Sequence, residues 1–211
     1  QTSQRIWIDE EMPNVTEISD EAYADAIAER IYQIRQLDEQ MLVLFNSKKA
    51  MFDVSELLDE MDLHHLTQEK NGTAYNVKRR FERGESHILL GTGAFWEGVD
   101  FVQSDKMIEV ITRLPFENPK DLFVQKISNH LLAQAKSPFN DYSLPLAILK
   151  LKQAIGRTMR RENQRSAVLL LDPRILTKSY GKIISDALSE EFYISHQKFS
   201  KSLTEIKNFL L

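Results

Sequence analysis

The spacing of apolar and polar residues divides the chain into alternating strands and helices. Apolar residues recur every three or four positions across 18–36 and 48–61, which predicts two amphipathic helices. The continuous apolar run at 41–47 predicts a buried strand, and 86–95 predicts a strand that runs into a glycine loop. The same patterns predict further strands within 1–8, 106–116 and 166–172, and further helices within 75–84, 120–136, 144–161 and the tail after Tyr180.

Strands that alternate with helices favour an α/β fold in which a parallel sheet is covered by helices on both faces. The length of 211 residues suits one such domain, so we predict a single domain over 1–211. Sheets of this kind bind ligands beyond the carboxyl ends of their strands. The residues after Phe45 and Leu90, and the helix that leads into 166–172, are therefore the candidates for function.

Composition excludes several classes of site. The chain has no cysteine, which rules out disulfides, zinc–thiolate sites and iron–sulfur clusters within it. The formal net charge of −4 argues against a strongly basic nucleic-acid binder, although a local basic groove is compatible with it. We expect no membrane span, no secretion signal and a cytoplasmic location, and the start at Gln1 rather than Met indicates a fragment of a longer protein.

The segment "LKQAIGRTMRRE" (151–162) carries the first candidate site. On a helix, Gln153, Arg157 and Arg160 share one face, while apolar side chains such as Leu151 lie on the opposite face. Gly156 borders the polar face and permits close approach of another backbone or a ligand. Paired guanidiniums suit phosphate oxygens, but a solvated charged face is the alternative interpretation.

The segment "GTGAFWEGVDF" (91–101) carries the second candidate site. Its glycines, Gly98 among them, permit tight turns, and Thr92 offers a hydroxyl and a backbone donor for a phosphate. Glu97 and Asp100 can accept from hydroxyls or bind arginines. A plain glycine turn capped by acids is the alternative, and Phe95 and Trp96 are interpreted as packing residues rather than base-stacking ones.

The third candidate follows the strand at 41–47. Ser47 and Lys48 could contact phosphate at the start of a helix, although Ser47 is equally interpretable as an N-cap. The chain has no phosphate loop of the G-x-x-x-x-G-K-[ST] type and no acid pair with metal-ligand spacing, so we predict no metal site. His64 and His65 are interpreted as solvated loop histidines.

These blocks, taken in order, resemble motifs IV, V and VI of superfamily 2 helicases, and most closely the DinG-type members of the XPD/DinG-like branch. The residues that carry the resemblance are "VLFNSKKAM" (43–51), "GAFWEGVDF" (93–101), "RLPFENP" (113–119), "LKQAIGRTMRR" (151–161), "LLDPRI" (170–175) and Tyr180-Gly181. The resemblance extends from the first strand to about residue 190. Ala94 departs from it, because motif V more usually has serine there.

The resemblance implies a RecA-like three-layer domain, the second of two in a DinG-type ATP-dependent DNA helicase. ATP with Mg²⁺ would be bound mainly by the first RecA-like domain, which is the partner of this one. Arg157 and Arg160 would be the catalytic arginines, with Gln153 near the attacking water and Gly156 beside the nucleotide. Glu97, Gly98 and Asp100, in motif V, would couple ATP to the contacts with DNA.

In the same resemblance, Ser47, Lys48 and Thr92 would contact the backbone of single-stranded DNA, and the isolated fragment would be inactive. The expected role is in DNA repair or replication. Some relatives carry an N-terminal exonuclease domain. An alternative function is therefore a regulatory ATP- and DNA-binding module attached to a 3'-5' exonuclease domain, without unwinding activity.

Overall fold

A computed structural model of the protein describes residues 3–97, 100–101, 104–156 and 163–211. Within these residues, seven strands form one sheet in the order β3-β4-β2-β5-β6-β1-β7, and all neighbouring strands are parallel. The strands are β1 (Gln4–Asp9), β2 (Met41–Leu44), β3 (Leu66–Thr67), β4 (Ile88–Gly91), β5 (Lys106–Ile111), β6 (Arg165–Leu170) and β7 (Tyr193–Gln197).

Helices connect these strands. They are α1 (Asp20–Arg35), α2 (Lys48–Glu60), α3 (Ala74–Glu82), α4 (Leu122–Ala133), α5 (Leu144–Gly156), α6 (Arg174–Thr177), α7 (Ser179–Ser189) and α8 (Phe199–Leu210), with a 3₁₀ turn at Gly93–Trp96 and a π-helical turn at Phe139–Ser143. Several begin where the sequence places a capping oxygen: Ser19 caps α1 and Ser47 caps α2, each accepting from the amide three residues on.

Alternate residues of each strand feed two separate hydrophobic cores. On one face, Trp7 and Val43 belong to a core with the apolar stripes of α1, α2 and α8. On the other face, Ile6 and Leu44 belong to a core with α3, α5 and α7. The predicted three-layer α/β fold is therefore confirmed, because period-two alternation along a parallel strand presents an apolar residue to both helical layers.

The tail after Tyr180 corrects the sequence prediction. The helices predicted in it are confirmed as α7 and α8, but the prediction missed β7, which lies between them and pairs in parallel with β1. The two-residue strand β3 was also not predicted, because it is too short for any periodic pattern. Helix α4 lies outside both cores, with Val124 as its one buried side chain. Among the described residues, no helix combines the length and apolar character that crossing a bilayer requires.

Candidate functional site at the carboxyl edge of the sheet

The loops that follow β2 and β4 are joined through one backbone carbonyl. The oxygen of Phe45 accepts from the Thr92 hydroxyl at 2.7 Å and from the Trp96 indole at 2.9 Å. All three residues are buried, so the two hydrogen bonds are shielded from water. The segments 43–51 and 92–97, far apart in sequence, are thus fixed side by side where the strands end.

The loop after β5 is fixed against the same edge. The Asn46 side chain donates to the Leu114 carbonyl at 2.7 Å, and the Leu114 amide donates to the Asp172 carboxylate at 2.9 Å. Asp172 lies just after β6 and is fully buried. Four successive strand ends, those of β4, β2, β5 and β6, are therefore connected by side chains that bind backbone groups.

Asp172 is neutralised by a neighbour two residues away. The Arg174 guanidinium lies 2.6 Å from one carboxylate oxygen through Nη2 and 3.0 Å from the other through Nε. Burial acts to lower the pKa of Arg174, but the hydrogen bonds and charge of Asp172 outweigh it and raise the pKa. Arg174 also lies over the Phe116 ring, which contacts Tyr180 and Phe139.

Burial, followed by the charge of Asp172, raises the pKa of the Tyr23 hydroxyl. This hydroxyl donates to the Thr112 carbonyl at the end of β5, and only the protonated tyrosine can make this hydrogen bond. Burial likewise raises the pKa of Tyr180. Tyr23 therefore acts as a neutral hydrogen-bond donor at the end of β5, and Tyr180 contacts the β5 loop through the Phe116 ring. Neither is poised to act as a base near neutral pH.

A cleft of about 500 Å³ opens at this edge. One wall is formed by Thr92 and Glu97, and the opposite wall by the β5 loop and the first turn of α4. Ser47 borders a separate recess of about 90 Å³ between α1 and α2. The structure thus brings Thr92 and Glu97 together in one cleft and places Ser47 beside it.

The predicted phosphate-contacting residues differ in how available they are. The hydroxyl of Thr92 donates to Phe45 and its amide donates to Gln68 at 2.9 Å, so a phosphate would have to displace one of these bonds. Ser47 is exposed and caps α2. Lys48 is 62% exposed, and its ammonium pairs with Glu69 at 2.9 Å. Their contacts with DNA stay predictions.

Helix α5 carries Gln153 and Gly156 on its exposed side, while Leu151, Ala154 and Ile155 are buried in the core. This is the two-faced arrangement that the spacing predicts. Arg157, Arg160 and Gly98 lie outside the described residues. Asp100 is half-buried and Glu97 is exposed.

Phe95 and Trp96 are buried, which confirms their interpretation as packing residues. The interpretation of His65 as a solvated histidine is wrong. Its side chain is 3% exposed, and its two ring nitrogens lie 2.7 Å from the Ser55 hydroxyl and 2.8 Å from the Leu63 carbonyl. Burial lowers the pKa of His65. His64 is exposed, as expected.

The sequence analysis assigned no function to Asp172 and Arg174, although both lie in the segment "LLDPRI" (170–175). Their signal was available: an acid directly after an apolar strand, then proline, then arginine. Across the described ranges, no cluster of three or more acidic or histidine side chains could hold a metal ion.

A family model described as "Helicase C-terminal domain" matches residues 29–191. The chain belongs to this helicase family. Two curated relatives are named "3'-5' exonuclease DinG": that of Bacillus subtilis is 30% identical over 87% of this chain, and that of Staphylococcus aureus is 31% identical over 89%. The chain spans only about a fifth of the length of each relative, 20% and 21%.

A solved structure named "XPD_Helicase" has the same fold, with a TM-score of 0.64 and 18% identity over 92% of this chain and 35% of its own. The DinG-like resemblance and the RecA-like helicase fold are thereby confirmed. The two segments that resemble motifs IV and V meet at the Phe45 carbonyl, which accepts from Trp96 and from the neighbouring Thr92.

Proposed function

We propose that this chain is the C-terminal motor half of a DinG-type ATP-dependent DNA helicase that acts on single-stranded DNA in repair or replication. In this proposal ATP is bound between this domain and a first RecA-like domain of the same protein. The family membership supports ATP-dependent activity, and the carboxyl-edge cleft offers a surface for the strand.

The observation that carries the proposal is the orientation of α5. Its buried side is held in the core through Leu151 and Ile155, so the exposed side has a fixed direction. Gln153 and Gly156 lie on that side, and Arg157 and Arg160 follow directly in sequence. A methyl group added at Gly156 would meet no atom within 4 Å, which is consistent with a surface kept open for a partner domain or a nucleotide.

The proposed chemistry assigns a role to each of these residues. Arg157 and Arg160 neutralise charge on the triphosphate as the bond to the γ-phosphate breaks, and Gln153 orients the attacking water. An arginine supplied in this way contributes on the order of 10³–10⁵-fold to turnover in GTPases. The Mg²⁺ ion is assigned to the first domain, as the resemblance to DinG-type helicases implies.

Glu97, Gly98 and Asp100 belong, in the same proposal, to the segment that couples nucleotide binding to DNA. The link through Phe45 supports this, since movement of 93–101 would be transmitted to the loop that carries Ser47 and Lys48. Ser47, Lys48 and Thr92 are proposed to contact the DNA backbone. Binding or hydrolysis of the nucleotide would then change the affinity of the domain for the DNA strand.

A second candidate function is favoured by the names of the relatives. Those proteins are called 3'-5' exonucleases, so the whole protein could use ATP to control an attached exonuclease domain without unwinding DNA. The exposed side of α5 is compatible with either role, because nucleotide binding is common to both.

The deciding experiment is ATP hydrolysis by the intact protein, with and without single-stranded DNA. We expect DNA-stimulated turnover that falls by several orders of magnitude in Arg160→Ala, with ATP binding reduced less. Arg79→Ala, an exposed arginine on α3, is the matched control. Unchanged turnover in Arg160→Ala would refute the arginine assignment. Absent turnover, with exonuclease activity that responds to ATP, would favour the second function.

A further inference from the structure

We propose that the cleft at the carboxyl edge binds a nucleobase of the DNA strand, rather than its phosphates, and prefers a base with an exocyclic amino group. The inference rests on the proposed binding of single-stranded DNA and adds which part of the strand enters the cleft. It also predicts a dependence on base identity that backbone contacts alone would not produce.

The charge of the cleft opposes phosphate. Among the described residues that line it, three are carboxylates, Glu97, Glu117 and Asp121, and one is a cation, Lys150. Lys150 lies 3.7 Å from Glu117, which already balances it. A phosphate in this cleft would face uncompensated negative charge at short range, where Coulomb repulsion is strongest.

Hydrogen-bond donors in the cleft are also largely used. Thr92 donates to Phe45 and Gln68, and Trp96 donates to Phe45. The acceptor that the cleft offers is the exposed carboxylate of Glu97, since Glu117 accepts from Tyr142 and Asp121 accepts from the first turn of α4. The cleft therefore offers acceptors rather than donors, and it suits a ligand that brings its own N–H groups.

Aromatic side chains supply the faces that a base needs. Phe123 is 67% exposed, and it lines the cleft together with the half-buried Phe116. Phe123 is held in the first turn of α4, where the Asp121 carboxylate accepts from its amide and from that of Val124. These bonds fix the backbone from which the exposed ring projects, and exposed aromatic rings are the side chains on which unpaired bases stack.

A nucleobase is the part of the strand that fits both the hydrogen-bond acceptors and the aromatic rings of the cleft. Unpaired bases are bound by stacking on aromatic rings and by hydrogen bonds to their edges. Cytosine presents an amino group that carboxylates accept, whereas thymine presents a carbonyl at the same position. The volume of about 500 Å³ falls in the range of sites for small organic ligands, roughly 300–1,000 Å³. We therefore expect the phosphates to follow the outside of the cleft, which leaves Ser47 and Lys48 as backbone contacts and removes Thr92, a residue that lines the cleft.

The test compares oligo-dC, oligo-dT and an abasic strand of equal length, bound to the intact protein near neutral pH and followed by fluorescence anisotropy. We expect oligo-dC to bind about fivefold more tightly than oligo-dT. Phe123→Ala should weaken binding of oligo-dC at least about fivefold and leave the abasic strand unaffected. Leu122→Ala, its exposed neighbour outside the cleft, is the matched control.

Glu97→Gln should reduce the preference for oligo-dC over oligo-dT, while the salt dependence of binding stays the same. Equal affinity for oligo-dC, oligo-dT and the abasic strand would overturn the inference and leave the proposed function intact. A loss in Phe123→Ala that is equal for all three strands would overturn it too. If no strand binds at all, the proposed function fails together with it.

Discussion

Asp172 and Arg174 form a buried bidentate ion pair at the end of β6, with Nη2 to Oδ2 at 2.6 Å and Nε to Oδ1 at 3.0 Å. The same carboxylate accepts from the Leu114 amide, so one side chain fixes two loops of the carboxyl edge. The pair is part of the scaffold that gives the cleft its shape.

Asp172→Asn should lower the free energy of unfolding by about 3–5 kcal/mol, because it leaves the buried Arg174 cation without its counter-charge. Urea denaturation measures the change. Lys182→Ala removes an exposed pair with Asp186 and should leave stability within error. A small change in Asp172→Asn would mean that water reaches and solvates the guanidinium.

Two glycines should respond in opposite ways to alanine. A Cβ at Gly181 would collide with the backbone carbonyl oxygens of Ile175 and Arg174, so Gly181→Ala should destabilise the protein by more than about 1 kcal/mol. Gly156→Ala meets open space and should stabilise it by up to about 1 kcal/mol. Thermal unfolding distinguishes them, and equal melting temperatures would contradict the prediction.

The Gly156→Ala variant has a second readout. If a nucleotide or the first domain approaches α5 closely, the variant should hydrolyse ATP more slowly although it is the more stable protein. If the variant is more stable and its ATP turnover is unchanged, neither the nucleotide nor the first domain approaches α5 closely at Gly156.

His65 should make stability depend on pH. Because burial lowers its pKa in the folded state, its contribution is fully present above the unfolded pKa of about 6.5 and is lost as the pH falls below that value. For one proton, the slope should not exceed about 1.4 kcal/mol per pH unit. Asp59, at 3.9 Å, Lys70 and the neighbouring His64 are the charged or titratable groups that act on the ring.

The measurement is urea denaturation between neutral pH and about pH 5 for the wild type and His65→Asn. The difference in unfolding free energy between the two should shrink as the pH falls. A constant difference would show that the ring does not resist protonation in the folded state. The pKa of Asp59 is lowered by its hydrogen bond to Lys70, so its own contribution is lost at more acidic pH.

Lys48 should report on the path of the DNA backbone. Its ammonium is paired with Glu69, so Glu69→Gln should release it and raise affinity for single-stranded DNA, whereas Lys48→Ala should lower affinity. If Lys48 contacts one phosphate, its removal should reduce the slope of log K against log salt by about 0.7. Lys207→Ala, on the exposed side of α8, should change neither quantity.

The local pattern of the chain was sufficient to predict the layers of the fold. Strands such as β2 are buried on both faces and therefore read as continuous apolar runs, and α5 could be divided correctly into a buried and an exposed side. Strand β7 could not be predicted in this way, because it is an edge strand with half-exposed residues and has no continuous apolar run. It also lies between two helical patterns.

What the pattern could not supply was the identity of long-range partners. Nothing near Thr92 in sequence indicates that its hydroxyl is bound to Phe45, and nothing near His65 indicates Ser55 on α2. The predicted solvent exposure therefore failed for His65, and the predicted availability of Thr92 for a phosphate needed revision. The acidic character of the cleft was likewise hidden, since Glu97 comes from a different segment than Glu117 and Asp121.

The position of β1 in the sheet has a consequence for how the chain is made. This first strand lies between β6 and β7, with Gln4 opposite Ser166 and Trp7 opposite Ser195. A ribosome adds about 5–20 residues per second, so many seconds pass between the synthesis of β1 and that of the two strands that pair with it. Throughout that interval Ile6, Trp7 and Ile8 have no strand beside them. The nascent polypeptide depends on chaperones, or on transient collapse, until its last third has emerged.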